Sequence, residues 1–272
     1  VRAWLEGGSR LARAVPALFR IGFAGAVAYR SEFLIWILST NMPLVMLVLW
    51  SQVGREGPMG GFDEKEFVTY FVATFLVRLM TGSWVVWELN MEIRQGTLAM
   101  RLLRPMHPFF AYAADNIAAI PLRALFAFPI GIAVFFAASG RPLESDALGW
   151  LFVSASVAGA WALTFFAMAF IGSLGFFWES SLSAYDLWLG LFFVLSGYIV
   201  PLALFPPLLR SIADALPFRY ALSLPVELLL GHLPPAAAAT ALGVQWAYVF
   251  AFATLAIVTF QRGLRRFSAF GG

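Results

Sequence analysis

The sequence has no cysteine and two histidines, His107 and His232. A disulfide framework and a thiolate metal site are thereby excluded, and two histidines do not by themselves build a usual zinc site. Lysine is nearly absent. Lys65 stands alone and is followed by Glu66, so there is no GxxxxGK[ST] loop to cradle a nucleotide phosphate. An aspartate-rich Mg²⁺ motif such as a lipid-diphosphate enzyme would need is also missing. Charged residues make up only 12% of the chain against 61% hydrophobic ones, which leaves little for a soluble catalytic domain and points to a membrane protein. The net charge of +3 comes from arginines scattered among apolar runs, a distribution that fits membrane orientation and not a nucleic-acid face.

What is present is a series of apolar stretches. Six of them, near residues 33–50, 67–87, 117–138, 148–177, 187–203 and 236–260, are long enough, or nearly so, to cross about 30 Å of hydrocarbon at 1.5 Å per residue. The fifth is short and ends at Pro201, so it is expected to cross only part of the bilayer and to continue as irregular chain. The fourth has to tilt or protrude. This reading gives an all-α membrane protein with a 1–30 cytosolic or interfacial segment and one 31–272 transmembrane domain.

Orientation follows from the arginines. With a cytosolic amino terminus, Arg2, Arg10, Arg13, Arg20, Arg30, Arg94, Arg101, Arg104, Arg262, Arg265 and Arg266 lie inside, and Arg55, Lys65, Arg141, Arg210 and Arg219 lie outside. Eleven against five places both termini in the cytosol. Trp50, Trp84, Trp87, Trp150, Trp178 and Trp188 fall near expected span ends, where an amphipathic ring prefers the headgroup layer. In residues 10–30, RLARAVPALFRIGFAGAVAYR, Arg10, Arg13 and Arg20 share one arc opposite Phe19 and Phe23, the pattern of a helix lying in the membrane surface. Arg20 also interrupts the apolar core a signal peptide would require.

Two loops carry information. The inner one, 88–115, has a short helix from Glu88 to Gln95, a stop at Gly96 and a second helix capped by Thr97 that ends before Pro105. The outer one, 204–235, is apolar but repeatedly broken by proline, as expected of two short helices that dip into the membrane and return.

A few polar residues interrupt the spans. Arg78 falls near the middle of the second, where a charge costs about 2.5–3.5 kcal/mol on insertion scales. It has to face protein or water, either as a functional contact or bonded to carbonyls or a neighbouring subunit. Arg123, about six residues into the third span, is expected to snorkel to the inner surface. Asp115, Glu179 and Asp186 read as solvated caps at inner edges, and His107 as a polar loop residue. No buried chain of acids or histidines crosses the spans, which argues against proton-coupled secondary transport.

The order of these segments resembles the permease subunit of a type-2 ATP-binding-cassette exporter. The features that carry it are the basic helix at 10–30, EIRQGTLAMRLLRPMHPF at 92–109 and SGYIVPLALFPPLLRSIADALPFRYALSLPVELLLG at 196–231. The resemblance implies a six-span, non-enzymatic subunit of a bacterial cytoplasmic membrane. It would pair with itself or a sister permease and with two cytosolic ATPase subunits that hold the ATP and Mg²⁺, none being bound by this chain. Membrane lipids would surround it, with no nucleic-acid partner. By position, Glu92, Arg94, Gln95, Gly96, Thr97, Leu98, Arg101, Leu103 and Arg104 would form or flank a cytosolic coupling helix between spans two and three. Arg78, Phe75, Phe192, Phe193 and Tyr198 would border the translocation path for an amphipathic, lipid-like, glycan or drug-like solute. Pro201, Phe205, Pro206, Pro217 and Tyr220 would shape an outer re-entrant hairpin between spans five and six. The alternative reading is a membrane anchor or scaffold that docks an ATPase without transporting anything.

Overall fold

The computed structural model describes residues 41–138, 140, 147–179 and 181–267, with Pro16, Arg20 and Ala24 as isolated positions. The expected surface helix at 10–30, apart from those three positions, and the 33–40 start of the first expected span lie outside the described residues. So do Arg141, Glu144 and Asp146.

Within the described residues the regular structure is helical: α1 (Met42–Glu56), α2 (Glu64–Thr81), α3 (Val85–Gln95), α4 (Leu98–Leu102), α5 (Pro108–Ala118), α6 (Ile120–Ala137), α7 (Ala147–Ser173), α8 (Ser181–Leu195), α9 (Pro207–Asp214), α10 (Pro217–Ala221), α11 (Ser223–Leu229) and α12 (Pro235–Leu264). Proline within the first two positions starts α1, α5, α6, α9, α10 and α12, where its missing N–H costs nothing. Asp63 caps α2 by accepting from the Glu66 N–H at 2.8 Å, and Glu64 and Glu66 complement the helix dipole.

Four stretches are long and apolar enough to cross a membrane: Glu64–Gln95, Pro108–Ala137, Ala147–Phe176 and Pro235–Leu264. Ser181–Leu195 is apolar but shorter. Side-chain pairings fix their directions. Trp50 stacks on Phe67, and Arg123 reaches Gly82, so α1 and α6 run against α2. Arg78 over Phe192 and Asn90 bonded to Ser181 set α8 against α2 and α3. By contrast α7 and α12 run parallel, since Ser156 meets Gln245 and Phe176 meets Phe260. At the centre is α7, which buries residues around its whole circumference and packs along α12. Close approach there depends on Gly159, where a Cβ would press into the Gln245 side chain.

The observed boundaries depart from the expected ones at three places. The third column begins at Pro108, inside the expected inner loop. Asp115 and Asn116 do not break it, because Asp115 pairs with Arg101 and the Asn116 Nδ2 donates to the Tyr112 carbonyl at 2.9 Å. The fifth helix spans Ser181–Leu195 in place of 187–203; Gly197, at φ 83, cannot continue a right-handed helix. The proline-broken segment forms three short helices, α9 to α11, where two were expected. It folds back into the bundle: Gln245, ten residues or about 15 Å along α12, donates its Nε2 to both Ser156 O (2.9 Å) and Tyr220 O (2.8 Å).

Gly197 also gives its carbonyl to the Tyr70 hydroxyl at 2.8 Å. Gly197→Ala would force a left-handed residue costing about 1–2 kcal/mol and set a Cβ against that hydroxyl. The apparent melting temperature in detergent is expected to fall by about 2–8 °C; an unchanged midpoint would show that the turn is not constrained in this way.

Candidate functional site

The nine residues expected to couple to a partner run from the end of α3 through the bend to α4 and the two residues after it, at one end of the bundle, and they divide by direction. α3 ends at Gly96, which takes the left-handed conformation (φ 73) and donates its N–H to Ile93 O. The chain then turns directly into α4. Thr97 precedes it with helical backbone angles and makes no side-chain cap, which corrects its expected capping role.

Three of the nine, Glu92, Leu98 and Arg101, face inward, and Gly96 makes the bend. Leu98 is fully buried, and the Arg101 guanidinium is the centre of a polar cluster. Its Nε donates to Glu92 Oε1 at 2.8 Å, its Nη1 lies 3.5 Å from Asp115 Oδ2, and it stacks over the Tyr112 ring at 4.2 Å. The Tyr112 hydroxyl donates to the other Glu92 oxygen at 2.6 Å. Glu92 sits on α3, Arg101 on α4, and Tyr112 and Asp115 on α5, so three helices are tied through one guanidinium. Charge-assisted bonds of this kind contribute about 1.5–3 kcal/mol each when half-buried. Asp115 is therefore an ion-pair partner and not a solvated cap.

The other five split off to the surface or remain at the bend. Arg94, Gln95, Thr97, Leu103 and Arg104 are exposed. Met100 is 68% and Leu103 79% exposed, and both are apolar. Next to this element His107 accepts from the Phe109 N–H at 3.2 Å and meets the Phe109 ring edge-on and the Phe260 ring at a tilt; burial lowers its pKa.

A family model described as ABC-2 family transporter protein matches residues 36–271. The chain belongs to that family. No curated protein and no solved structure matches it. As an ABC-2 protein it is a multi-pass membrane component of a transporter, in a family that works with an ATPase partner.

Of the ABC-2 protein's expected path residues, four converge. The Arg78 guanidinium lies over the Phe192 ring at 5.2 Å, Phe192 and Tyr198 are 5.9 Å apart, and Phe193 stacks on Tyr198 at 5.1 Å. Phe75 does not join them. It is buried with Leu79 and Ala127 on the side of α2 that faces α6.

The expected hairpin residues shape the proline-rich fold-back. Pro201 and Pro217 are buried, Phe205 half-buried and Pro206 exposed. The Tyr220 hydroxyl donates to Asp214 O at 3.1 Å. Nearby, Arg219 pairs with Asp214 (2.9 Å) and Glu227 (2.7 Å), and His232 Nε2 meets Glu66 Oε1 at 2.6 Å.

Arg123 does not snorkel: it is 2% exposed and its Nη1 donates to the Gly82 carbonyl at 2.6 Å. Gly82, Ser83 and Trp84 separate α2 from α3, and the Gly-Ser pair within an apolar run was the available signal for a break. Gln245, which bonds two carbonyls of other elements, left no such signal in its neighbours.

If the Arg101 cluster holds α3 and α4 as described, Glu92→Gln and Arg101→Gln should each speed tryptic cleavage after the exposed Arg94 in the folded protein. A double-mutant cycle on thermal stability should return a coupling energy of about 1–3 kcal/mol. Strictly additive effects would contradict the cluster.

Proposed function

We propose that this chain is the permease subunit of an ATP-driven exporter and that residues 92–104 are the element through which cytosolic ATPase subunits move it. On this reading the chain crosses the cytoplasmic membrane six times with both termini inside. It pairs with a second permease, its own copy or a sister chain, and with two ATPase subunits that bind the ATP and Mg²⁺. The chain itself hydrolyses nothing.

The observation that carries the reading is the two-sided construction of α4. Its inner side is tied to α3 and α5 through Arg101, Glu92, Tyr112 and Asp115, so a push on it reaches two long helical columns together. Its outer side presents Met100 and Leu103, apolar side chains in a segment otherwise rich in exposed Arg94, Gln95 and Arg104. Exposed apolar tips ringed by polar groups suit a protein groove. A short helix held between stiff columns converts a partner's rigid-body movement into relative motion of those columns. The charge asymmetry of the loops supports the orientation. The path is the face carrying Arg78, Phe192, Phe193 and Tyr198, and the α9–α11 fold-back closes it on the outer side. Solutes that suit so apolar a lining are amphipathic.

Purification in mild detergent should bring down a chain with a nucleotide phosphate-binding loop and vanadate-sensitive ATP hydrolysis. Leu103→Asp is expected to reduce the co-purified ATPase at least about tenfold, the effect of placing a charge in a buried apolar contact. Gly96→Pro, which removes the left-handed stop, should leave the ATPase bound but uncouple its hydrolysis from solute. Hydrolysis that is indifferent to both substitutions would favour a non-transporting anchor, and the absence of any ATPase would remove the reading.

A further inference from the structure

The described residues leave one deeply placed cation without an anion. Arg78 lies near the middle of the Glu64–Gln95 column, about 18 Å along the helix from Glu66 and about 13 Å from Trp87. A guanidinium carries five donors and cannot shed its charge. Yet among the described residues Arg78 forms no ion pair, its buried Nε has no acceptor, and its recorded contact is the face of Phe192. The face of a ring holds a cation by its quadrupole and leaves the N–H edge of the guanidinium unused. Nearby protein does not supply what is missing. Arg123 is a second cation whose field overlaps that of Arg78, and its own Nη1 is committed to the Gly82 carbonyl.

The described residues of a second copy would not supply it either. On α8, the helix that carries Phe192, the acid is Asp186, six residues or about 9 Å nearer the 96–104 end. On α2 the acids are Glu64 and Glu66 at the far end. No carboxylate of a described span lies at the level of Arg78, whichever of these helices a copy brings to it.

We propose that Arg78 is the docking point for the acidic group, phosphate or carboxylate, of the transported amphiphile. Phe192, Phe193 and Tyr198 receive the apolar part next to it. This assigns the substrate to the anionic amphiphiles and deepens the permease reading, on which it rests.

The test is calorimetric, on the purified chain in phosphatidylcholine nanodiscs, with dodecyl phosphate and dodecyltrimethylammonium as probes of equal chain and opposite charge and inorganic phosphate as the free anion. Dodecyl phosphate should bind saturably and the ammonium probe should not. Arg78→Gln should weaken the phosphate probe about ten- to hundredfold, as loss of charge-assisted bonds predicts, and Arg78→Lys should retain most of the affinity. Equal binding of both head groups to the unaltered chain overturns the proposal without recourse to any variant. So does binding indifferent to Arg78→Gln, or inorganic phosphate that displaces the probe at equal concentration. If Asp186→Asn tightens the phosphate probe as much as Arg78→Gln weakens it, the counter-ion is a neighbouring copy and the proposal falls. Co-purified ATPase is scored in the same preparations. Arg78-independent binding with the ATPase still attached sinks this inference alone, while absence of the ATPase from the unaltered protein sinks the permease reading.

Discussion

In an apolar bundle every carbonyl released by a break in a helix has to find a donor inside the chain, because no water is at hand to take its place. The whole arrangement of this protein follows from how that demand is met. At the Gly82–Ser83 break the donor is Arg123; at the Gly197 turn it is Tyr70; Ile199 receives the Trp50 indole, and Ala215 the Tyr248 hydroxyl. Gln245 serves the Tyr220 carbonyl at the end of α10 and, with the same Nε2, the Ser156 carbonyl inside α7. Each donor comes from a different column from its acceptor, so satisfying the backbone also fixes how the columns sit. The proline-rich fold-back can lie deep among the helices only because these side chains reach it.

The same economy separates parts that hold from parts that can move. The α2–α3 column is interrupted at Gly82–Trp84, and below the interruption α3, α4 and α5 are joined by the Arg101 cluster. A force applied to α4 therefore meets a stiff three-helix unit whose direct chain connection to α2 is the three non-helical residues Gly82–Trp84, with the Arg123 guanidinium bonded to the Gly82 carbonyl. Hinge residues of this kind absorb large backbone changes at few positions. On the proposed function the break is where movement at the ATPase end becomes a change in the tilt of α2, and α2 is the helix that carries Arg78.

Much of this was legible in the residues. Hydropathy marks the four long apolar columns, and the Gly96 stop sits at its expected position because a left-handed residue after a run of helix formers leaves few alternatives. Proline gave the starts of α5, α9 and α10 once read as first-turn residues instead of as breakers. The errors have a common origin. Asp115, Arg123 and Thr97 were assigned from their own chemistry and their distance to a span end, but their behaviour depends on partners distant in sequence. Arg123 is 41 residues from Gly82, and nothing near it announces that a carbonyl will be waiting. Phe75 failed for a related reason: it is three residues from Arg78, yet α2 is buried on nearly every side and one turn is enough to send a ring toward α6.

Arg78 and Arg123 make the point sharpest. Composition presents them as the same anomaly, a guanidinium inside an apolar run. The fold treats them as opposites. Arg123 fills a need the backbone itself created, and its charge is incidental to a donor that a break requires. Arg78 fills no such need: α2 is unbroken around it, its neighbours are aromatic rings, and removing it would leave no carbonyl unbonded. A cation that contributes nothing to closing the backbone, placed where insertion is most costly, is not accounted for by the requirements of folding this chain. The account has to come from something that enters the bundle, and the sign of the charge states what that visitor carries.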